Sequence, residues 1–147
     1  MEIILALIGI TLLTGGTFVS CAIAVSKSAN AALGAMRKNP DSFGLYVTLA
    51  ALNTSQGLYG FVGFIVLQQF LVPEITMFQG CTILFLGIIM AVAAFFTGIK
   101  QAGICANGIK SIGEGHNVFA TTLMLAVIPE LYAILAMLVT ILVAGTL

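Results

Sequence analysis

Apolar residues fall into four long stretches along the chain, separated by short polar connections. The stretches run from about residue 3 to 36, 43 to 71, 78 to 110 and 118 to 143. Each is longer than the ~20 apolar residues that carry a helix across a bilayer core. Because lipid offers no partner for backbone polar groups, each stretch is predicted to be a helix rather than a strand. The pattern therefore predicts an all-α membrane protein with four transmembrane helices.

The short connections arrange these helices in pairs. Few residues separate one stretch from the next, so sequential helices are predicted to run antiparallel. Residues 1–72 should form a first helical hairpin, and residues 73–147 a second one that carries the carboxylate described below.

The basic residues predict an orientation. Arg37 and Lys38 lie in the connection 37–42, and Lys110 flanks the connection 111–117. The N-terminus and the middle connection each carry only a glutamate. Since Lys and Arg are enriched in cytoplasmic loops, both basic connections are predicted to be cytoplasmic. Both termini would then lie on the outer side of the cell membrane.

The two hairpins resemble each other in sequence. Leu58-Tyr59-Gly60-Phe61 matches Leu131-Tyr132-Ala133-Ile134 at an offset of 73 positions. Small residues of the first stretch fall on small residues of the third at an offset of 74, as Ser20, Ala24, Ser28 and Ala32 fall on Ala94, Gly98, Ala102 and Ala106. Such stripes let membrane helices approach closely. They fit either the packing of one four-helix bundle or the inner wall of a ring of many copies.

Composition agrees with lipid as the solvent. The chain is 61% hydrophobic and 7% charged, whereas soluble domains contain about 25% charged residues. Its net charge is +0 and it has no basic run, so nucleic acid is not an expected partner. The three cysteines lack CxxC spacing and there is one histidine. We interpret the cysteines as small buried hydrophobes rather than zinc ligands.

Glu130 is the acidic residue that lies near the middle of an apolar stretch. The other acidic residues lie at the N-terminus or in connections. A charged side chain at mid-membrane costs at least ~2.5–3.5 kcal/mol on insertion scales, and such residues mark ion pathways. Pro129, directly before it, removes a backbone donor and can kink the helix. Glu130 is therefore predicted to be the functional centre.

Other polar residues are expected at the same depth as Glu130. Counted along the helix axis at ~1.5 Å per residue, Glu130 lies about 24 Å from Glu114. Gln101 lies about 20 Å from Glu114 by the same count. Ser55 and Gln56 lie at a similar depth in the second stretch. Each of these could simply hold helices together by a hydrogen bond. Together their oxygens favour a hard cation such as Na⁺ over a proton, which would need only one hydrogen-bonded carboxyl.

Three segments carry a resemblance to a known family. They are Leu52-Asn53-Thr54-Ser55-Gln56-Gly57-Leu58-Tyr59-Gly60-Phe61-Val62, Lys100-Gln101-Ala102-Gly103 and Pro129-Glu130-Leu131-Tyr132-Ala133-Ile134-Leu135. With the duplicated hairpin, they resemble the proteolipid rotor-ring subunits (K type or c type) of bacterial Na⁺-translocating V-type ATPases. The resemblance covers essentially the whole chain.

The resemblance implies roles for individual residues. The implied Na⁺ ligands are the carbonyl of Leu52, the hydroxyl of Ser55 and the side chains of Gln56, Gln101 and Glu130. Tyr59 falls where a tyrosine hydroxyl locks the glutamate, and Gly57 falls where the first hairpin lacks a carboxylate. Pro129 departs from the Na⁺-type pattern beside the carboxylate, which puts the local geometry of the site in question.

The resemblance also implies a mechanism and partners. Identical subunits would form a ring that carries one Na⁺ per four-helix subunit past a stator membrane subunit, which supplies an arginine. Central-stalk subunits would couple the ring to ATP hydrolysis elsewhere. The chain itself has no Walker-type Gly-Lys-Ser/Thr motif, so a non-catalytic, ion-translocating role is expected, with H⁺ as the alternative coupling ion.

Two functions of other classes fit part of the pattern. A small proton-coupled multidrug exporter also uses four helices and a membrane glutamate, but it needs a substrate cavity, and this chain has no tryptophan. A structural or pore-forming four-helix protein would not depend on Glu130.

Overall fold

The computed structural model describes all residues from Met1 to Leu147, and its regular structure is entirely helical. The α-helices are α1 (Glu2–Met36), α2 (Phe43–Ala51), α3 (Ser55–Leu67), α4 (Met77–Gly113) and α5 (Phe119–Ala144). A 3₁₀ turn at Leu52–Thr54 joins α2 to α3, and 3₁₀ turns at Pro40–Ser42 and Gln68–Phe70 extend the two ends, which gives one span from Pro40 to Phe70. Four helical segments are long and apolar enough to cross a membrane. The predicted all-α fold with four transmembrane helices is confirmed.

Local sequence signals set the ends of α4. Thr76 caps its N-terminus: the Thr76 hydroxyl accepts from the Gln79 amide at 3.2 Å, and the Gln79 side chain accepts from the Thr76 amide at 3.0 Å. This reciprocal pair satisfies two donors that the helix leaves free. The helix ends before Gly115, whose φ of 92° reverses the chain in a conformation that glycine adopts without strain.

Helices α1 and α4 pack along each other through small residues. The Ser20 hydroxyl donates to the carbonyl of Ala94 at 2.7 Å, and the Ser28 hydroxyl donates to that of Ala102 at 3.5 Å. A Cβ at Gly9 would lie 2.5 Å from the carbonyl oxygen of Ile83. In all three cases the contacting residues are 74 positions apart, which is the repeat offset. The equivalent helices of the two hairpins therefore lie side by side at the same height.

The second span of each hairpin packs closely on the first span of the same hairpin, and a glycine again makes the close approach possible. A Cβ at Gly60 of α3 would collide with Thr17 of α1, and one at Gly108 of α4 would collide with Thr122 of α5. The second spans of the two hairpins also contact each other, α3 against α5. This brings side chains of α3, α4 and α5 together at mid-height.

Two buried apolar clusters lie above and below that level. The first, toward the chain termini, includes Leu13, Leu67, Ile83 and Met90 and continues to Ala144. The second lies toward the 37–42 connection, and its larger members are Tyr46, Leu49, Cys105, Ile109 and Ile112. The stretch of α4 between residues 90 and 105 contributes polar side chains instead, and these form the candidate site.

Many large apolar side chains remain on the outside of the molecule, among them Phe78 at 72%, Leu142 at 70% and Tyr132 at 63% exposure. Soluble monomers rarely expose so much contiguous apolar surface. These faces need lipid or other protein to cover them, as expected for a multi-pass membrane protein.

Candidate ion-binding site

Glu130 lies inside the molecule, facing α3 and α4. Its side chain is 7% exposed, and α5 continues without a break through Pro129. Pro129 therefore does not interrupt α5. The ring of Pro129 replaces one backbone donor one residue before the carboxylate, so the helix loses a hydrogen bond at the level where the site is built.

Both carboxylate oxygens of Glu130 accept a hydrogen bond. The Tyr59 hydroxyl donates to Oε1 at 2.7 Å, and Nε2 of Gln101 donates to Oε2 at 2.9 Å. Tyr59 comes from α3 and Gln101 from α4, so three helices converge on one carboxyl group. These lengths are those of good hydrogen bonds to oxygen.

No cationic side chain of the chain reaches this carboxylate. The ion pairs of the structure join Met1 to Glu2 and Lys38 to Glu114, both far from mid-height. A buried carboxylate without a partner charge is strongly unfavourable. The site therefore has to be neutralised by a proton or by a bound cation.

The hydrogen bonds continue beyond Gln101. Gln56 Nε2 donates to Oε1 of Gln101 at 3.4 Å, and the Thr97 hydroxyl lies 3.4 Å from Oε1 of Gln56. Both glutamine side chains are fully buried. The result is a polar belt from Thr97 through Gln56 and Gln101 to Glu130 and Tyr59, enclosed by the two apolar clusters.

Thr97 was not among the residues singled out from the sequence. It lies one helical turn before Gln101 on α4, hence on the same helix face, and this spacing could have identified it. Its one hydroxyl proton is shared between Oε1 of Gln56 and the carbonyl of Ala93, which lies 2.8 Å from the hydroxyl oxygen. Thr97 therefore contacts the Gln56 amide through one arm of a bifurcated hydrogen bond.

Leu52 and Ser55 contact each other rather than the carboxylate. The Ser55 hydroxyl donates to the Leu52 carbonyl at 3.1 Å, and Leu52 begins the 3₁₀ turn between α2 and α3. Such turns inside a longer helix often mark functional positions, and irregular backbone at membrane depth is tolerated where protein surrounds it. Ser55 is one turn before Tyr59, which places both on the same face of α3.

Asn53, in the same turn, is a buried polar residue that faces α1. Its Nδ2 donates to the Ser28 hydroxyl at 2.9 Å, and its Oδ1 has no hydrogen-bond partner. Asn53 therefore connects the 3₁₀ turn to α1 by a hydrogen bond, and it lies next to the polar belt without being part of it.

The atoms of the belt suit a hard cation. They are carboxylate, amide and hydroxyl oxygens, and no group of three or more His, Cys, Asp or Glu side chains could hold a transition metal. Hard cations prefer oxygen ligands. The residues that the structure brings together by direct hydrogen bonds are Tyr59, Gln56, Gln101 and Glu130, with Leu52 and Ser55 adjacent on α3.

A helical membrane protein with one buried carboxylate and no cation of its own beside it has the features of an ion-translocating subunit. The sequence profile of the ATP synthase C-subunit family matches the chain twice, over residues 8–67 and 84–143. The chain belongs to this family. It is a non-catalytic rotor-ring subunit of the c or K type, which assembles with identical copies in the membrane, while ATP is hydrolysed by other subunits.

Individual relatives are similar over nearly the whole chain. The V-type sodium ATPase subunit K of Enterococcus hirae is 28% identical over 137 residues, which span 93% of this chain and 86% of that protein. The A-type ATP synthase subunit K of Methanocaldococcus jannaschii is 26% identical over 140 residues, spanning 95% of this chain and 61% of that protein. The recognition of a proteolipid rotor subunit from the sequence is confirmed.

Proposed function

We propose that each copy of the chain binds one Na⁺ at Glu130 and carries it past a stator during rotation of a V-type ATPase ring. The observation that carries this proposal is the buried Glu130 carboxylate, whose two oxygens accept hydrogen bonds from neutral donors only. A monovalent cation bound there leaves the site neutral. A neutral site can face lipid during rotation, whereas a bare carboxylate cannot.

The number of oxygens favours Na⁺ over H⁺. Besides Glu130, the ligands would be the carbonyl of Leu52, the hydroxyl of Ser55 and the side-chain oxygens of Gln56 and Gln101. A protonated carboxyl needs a single hydrogen bond, whereas the additional amide and hydroxyl oxygens around Glu130 are the ligand type that a hard cation prefers. The similarity to a sodium ATPase subunit K supports the same choice. Proton coupling at the same carboxylate is the alternative.

Each residue of the polar belt has a different role in positioning the carboxylate. Tyr59 holds one carboxylate oxygen and closes the site from the side of α3. Gln101 holds the other oxygen, and Gln56 fixes the Gln101 amide from behind. Thr97 fixes Gln56 in turn, so the ligands are held in place before the ion arrives, and less ordering is needed on binding.

Release of the ion requires a competing positive charge. An arginine of the stator membrane protein would pair with the bare carboxylate and displace Na⁺, because a guanidinium matches a carboxylate with two parallel hydrogen bonds. One ion crossing 100 mV exchanges about 2.3 kcal/mol. Several ions must therefore pass for each ATP hydrolysed by the soluble subunits, to which central-stalk subunits would connect the ring.

Orientation and hairpin boundaries follow from charge and repeat. The connections at 37–42 and 111–117 would face the cytoplasm by the positive-inside rule, and the termini would lie outside. The two profile matches, over residues 8–67 and 84–143, support a division into hairpins at about residue 72.

Equilibrium binding of radioactive Na⁺ to purified rings tests the proposal. We expect saturable binding of one Na⁺ per chain, which Glu130→Gln abolishes. Glu74→Gln is the matched control, since Glu74 is an exposed loop carboxylate, and it should bind normally. Saturable binding that survives Glu130→Gln would contradict the assigned site, and an absence of saturable binding in the unmodified protein would favour H⁺.

A further inference from the structure

The internal repeat defines a second contact between α3 and α5 that one chain cannot make. Within the chain, Tyr59 of α3 reaches Glu130 of α5. At the repeat offset of 73 positions, Tyr59 corresponds to Tyr132 and Glu130 corresponds to Gly57. The equivalent contact would therefore run from Tyr132 of α5 to Gly57 of α3. Because α5 already uses its Glu130 face against α3, this second contact needs the α3 of another copy.

Both ends of that contact are available on the surface. Tyr132 is 63% exposed, and its hydroxyl makes no hydrogen bond in the structure, although every other tyrosine hydroxyl does. The residue is thus placed to contact a protein neighbour.

The opposite end is an open, mainly apolar face of α1 next to Gly57. A Cβ at Gly57 would lie 3.3 Å from Sγ of Cys21 and 3.7 Å from a ring carbon of Phe18. The same face of α1 continues along Ala22 and Val25. The glycine keeps α3 close to α1, and the face of α1 beside it stays open to a side chain from another copy.

We propose that Tyr132 of one copy packs beside Gly57, against Phe18 and Cys21, of the next copy, and so forms the contact between adjacent copies in the ring. The inference rests on the assembly of identical copies and on the internal repeat. It gives the carboxylate-free position a role: it is a packing contact where two copies meet. Ion sites then recur once in every four helices, because the contact between copies has Gly57 where the contact within a copy has Glu130.

Such a contact is heterologous, since the face that carries Tyr132 differs from the face that carries Gly57. Head-to-tail contacts link every copy to two others and generate a closed ring, whereas a self-complementary contact stops at a dimer. This difference provides a readout that does not depend on ion binding.

Disulfide cross-linking in membranes of the assembled complex tests the contact. In a chain with Cys81→Ser, we introduce Tyr132→Cys, so that the new thiol faces the native Cys21 of the next copy. Mild oxidation with copper phenanthroline should give a ladder of linked oligomers on denaturing gels. Adding Cys21→Ser should abolish the ladder. Leu131→Cys, at a neighbouring and similarly exposed position, should give no ladder.

A second measurement keeps the tyrosine in place. Ala22→Leu adds bulk to the open face of α1, where Ala22 is exposed, and should convert rings into smaller species in native mass spectrometry. Gly15→Leu is the matched control, because a side chain at Gly15 meets nothing within 4 Å, and it should leave the ring intact. An absence of cross-links, cross-linking that stops at dimers, or an intact ring with Ala22→Leu would each overturn the proposal.

The outcome is separable from that of the Na⁺ experiment. A ladder formed by a protein that binds no Na⁺ would keep the contact between copies and change the coupling ion. Normal Na⁺ binding without a ladder would keep the ion site and reject the contact.

Discussion

The hydroxyl of Tyr59 donates a 2.7 Å hydrogen bond to Oε1 of Glu130. This bond joins α3 of the first hairpin to α5 of the second hairpin at the one buried carboxylate. Its donor lies in the hairpin that has no buried carboxylate, so the candidate site is built between the two repeats.

Removing this bond should weaken ion binding. Hydrogen bonds to charged groups are worth about 1.5–3 kcal/mol, so Tyr59→Phe should raise the Na⁺ dissociation constant by about tenfold or more. Titration of Na⁺ binding to purified rings measures the change. Tyr46→Phe makes the same chemical change outside the belt, where the hydroxyl donates to the Asn39 carbonyl, and should leave Na⁺ affinity unaltered. Equal affinities for the two variants would argue against a role for Tyr59.

Gln101 should be more important than Tyr59. Its amide donates to Glu130 and accepts from Gln56, so Gln101→Leu removes one partner of the carboxylate and leaves Gln56 unpaired. Each lost partner of a buried polar group costs about 1–3 kcal/mol. We expect about a hundredfold loss of Na⁺ affinity in the same titration. A variant that binds Na⁺ with nearly the affinity of the unmodified protein would exclude Gln101 as a ligand.

Thr97 should have a smaller, measurable effect. Thr97→Val keeps the shape of the side chain but removes the hydroxyl from Gln56, so one neutral hydrogen bond of about 1 kcal/mol is lost. Na⁺ affinity should fall several-fold. Thr82→Val is the control, because Thr82 lies outside the belt and donates only to the carbonyl of Phe78. If both variants behave alike, Thr97 serves its own helix and not the site.

The close contact of α1 and α4 makes a prediction about stability. A Cβ at Gly9 would lie 2.5 Å from the carbonyl oxygen of Ile83, so Gly9→Ala must push two helix backbones apart. Overpacking of this kind costs about 1–3 kcal/mol. Thermal denaturation of the detergent-purified protein should show a lower midpoint. Gly15→Ala, which adds the same methyl group to open space, should leave the midpoint unchanged or raise it.

The sequence was sufficient to predict the span count and the level of the site. Helical rise is uniform, so residue numbers convert directly into depth, and Glu130, Gln101 and Gln56 were correctly expected at one height. Their mutual hydrogen bonds could not be predicted, because the rotation of each helix about its axis depends on how glycine and serine contacts fit between α1, α3 and α4.

Two features of the protein are difficult to predict from the pattern of hydrophobic and polar residues. The 3₁₀ turn at Leu52–Thr54 changes the hydrogen bonding within one long apolar stretch, and hydrophobic periodicity does not resolve a single turn. Thr97 and Thr82 can each satisfy the hydroxyl on the carbonyl four residues earlier. The spacing of Thr97 from Gln101 is the one sequence signal that separates them, and the contact with Gln56 is seen only in the folded protein.

The central claim is that Glu130 is a buried carboxyl that binds Na⁺, and carbodiimide labelling tests it most directly. The reagent attacks the protonated carboxyl, so labelling of purified rings at one fixed pH, followed by mass spectrometry of the peptide that contains residue 130, reports how much of the site is free. Na⁺ in the millimolar range should suppress the modification of Glu130, while choline at the same ionic strength should not. Labelling of Glu130 that proceeds at the same rate with Na⁺ and with choline would contradict Na⁺ binding at this site.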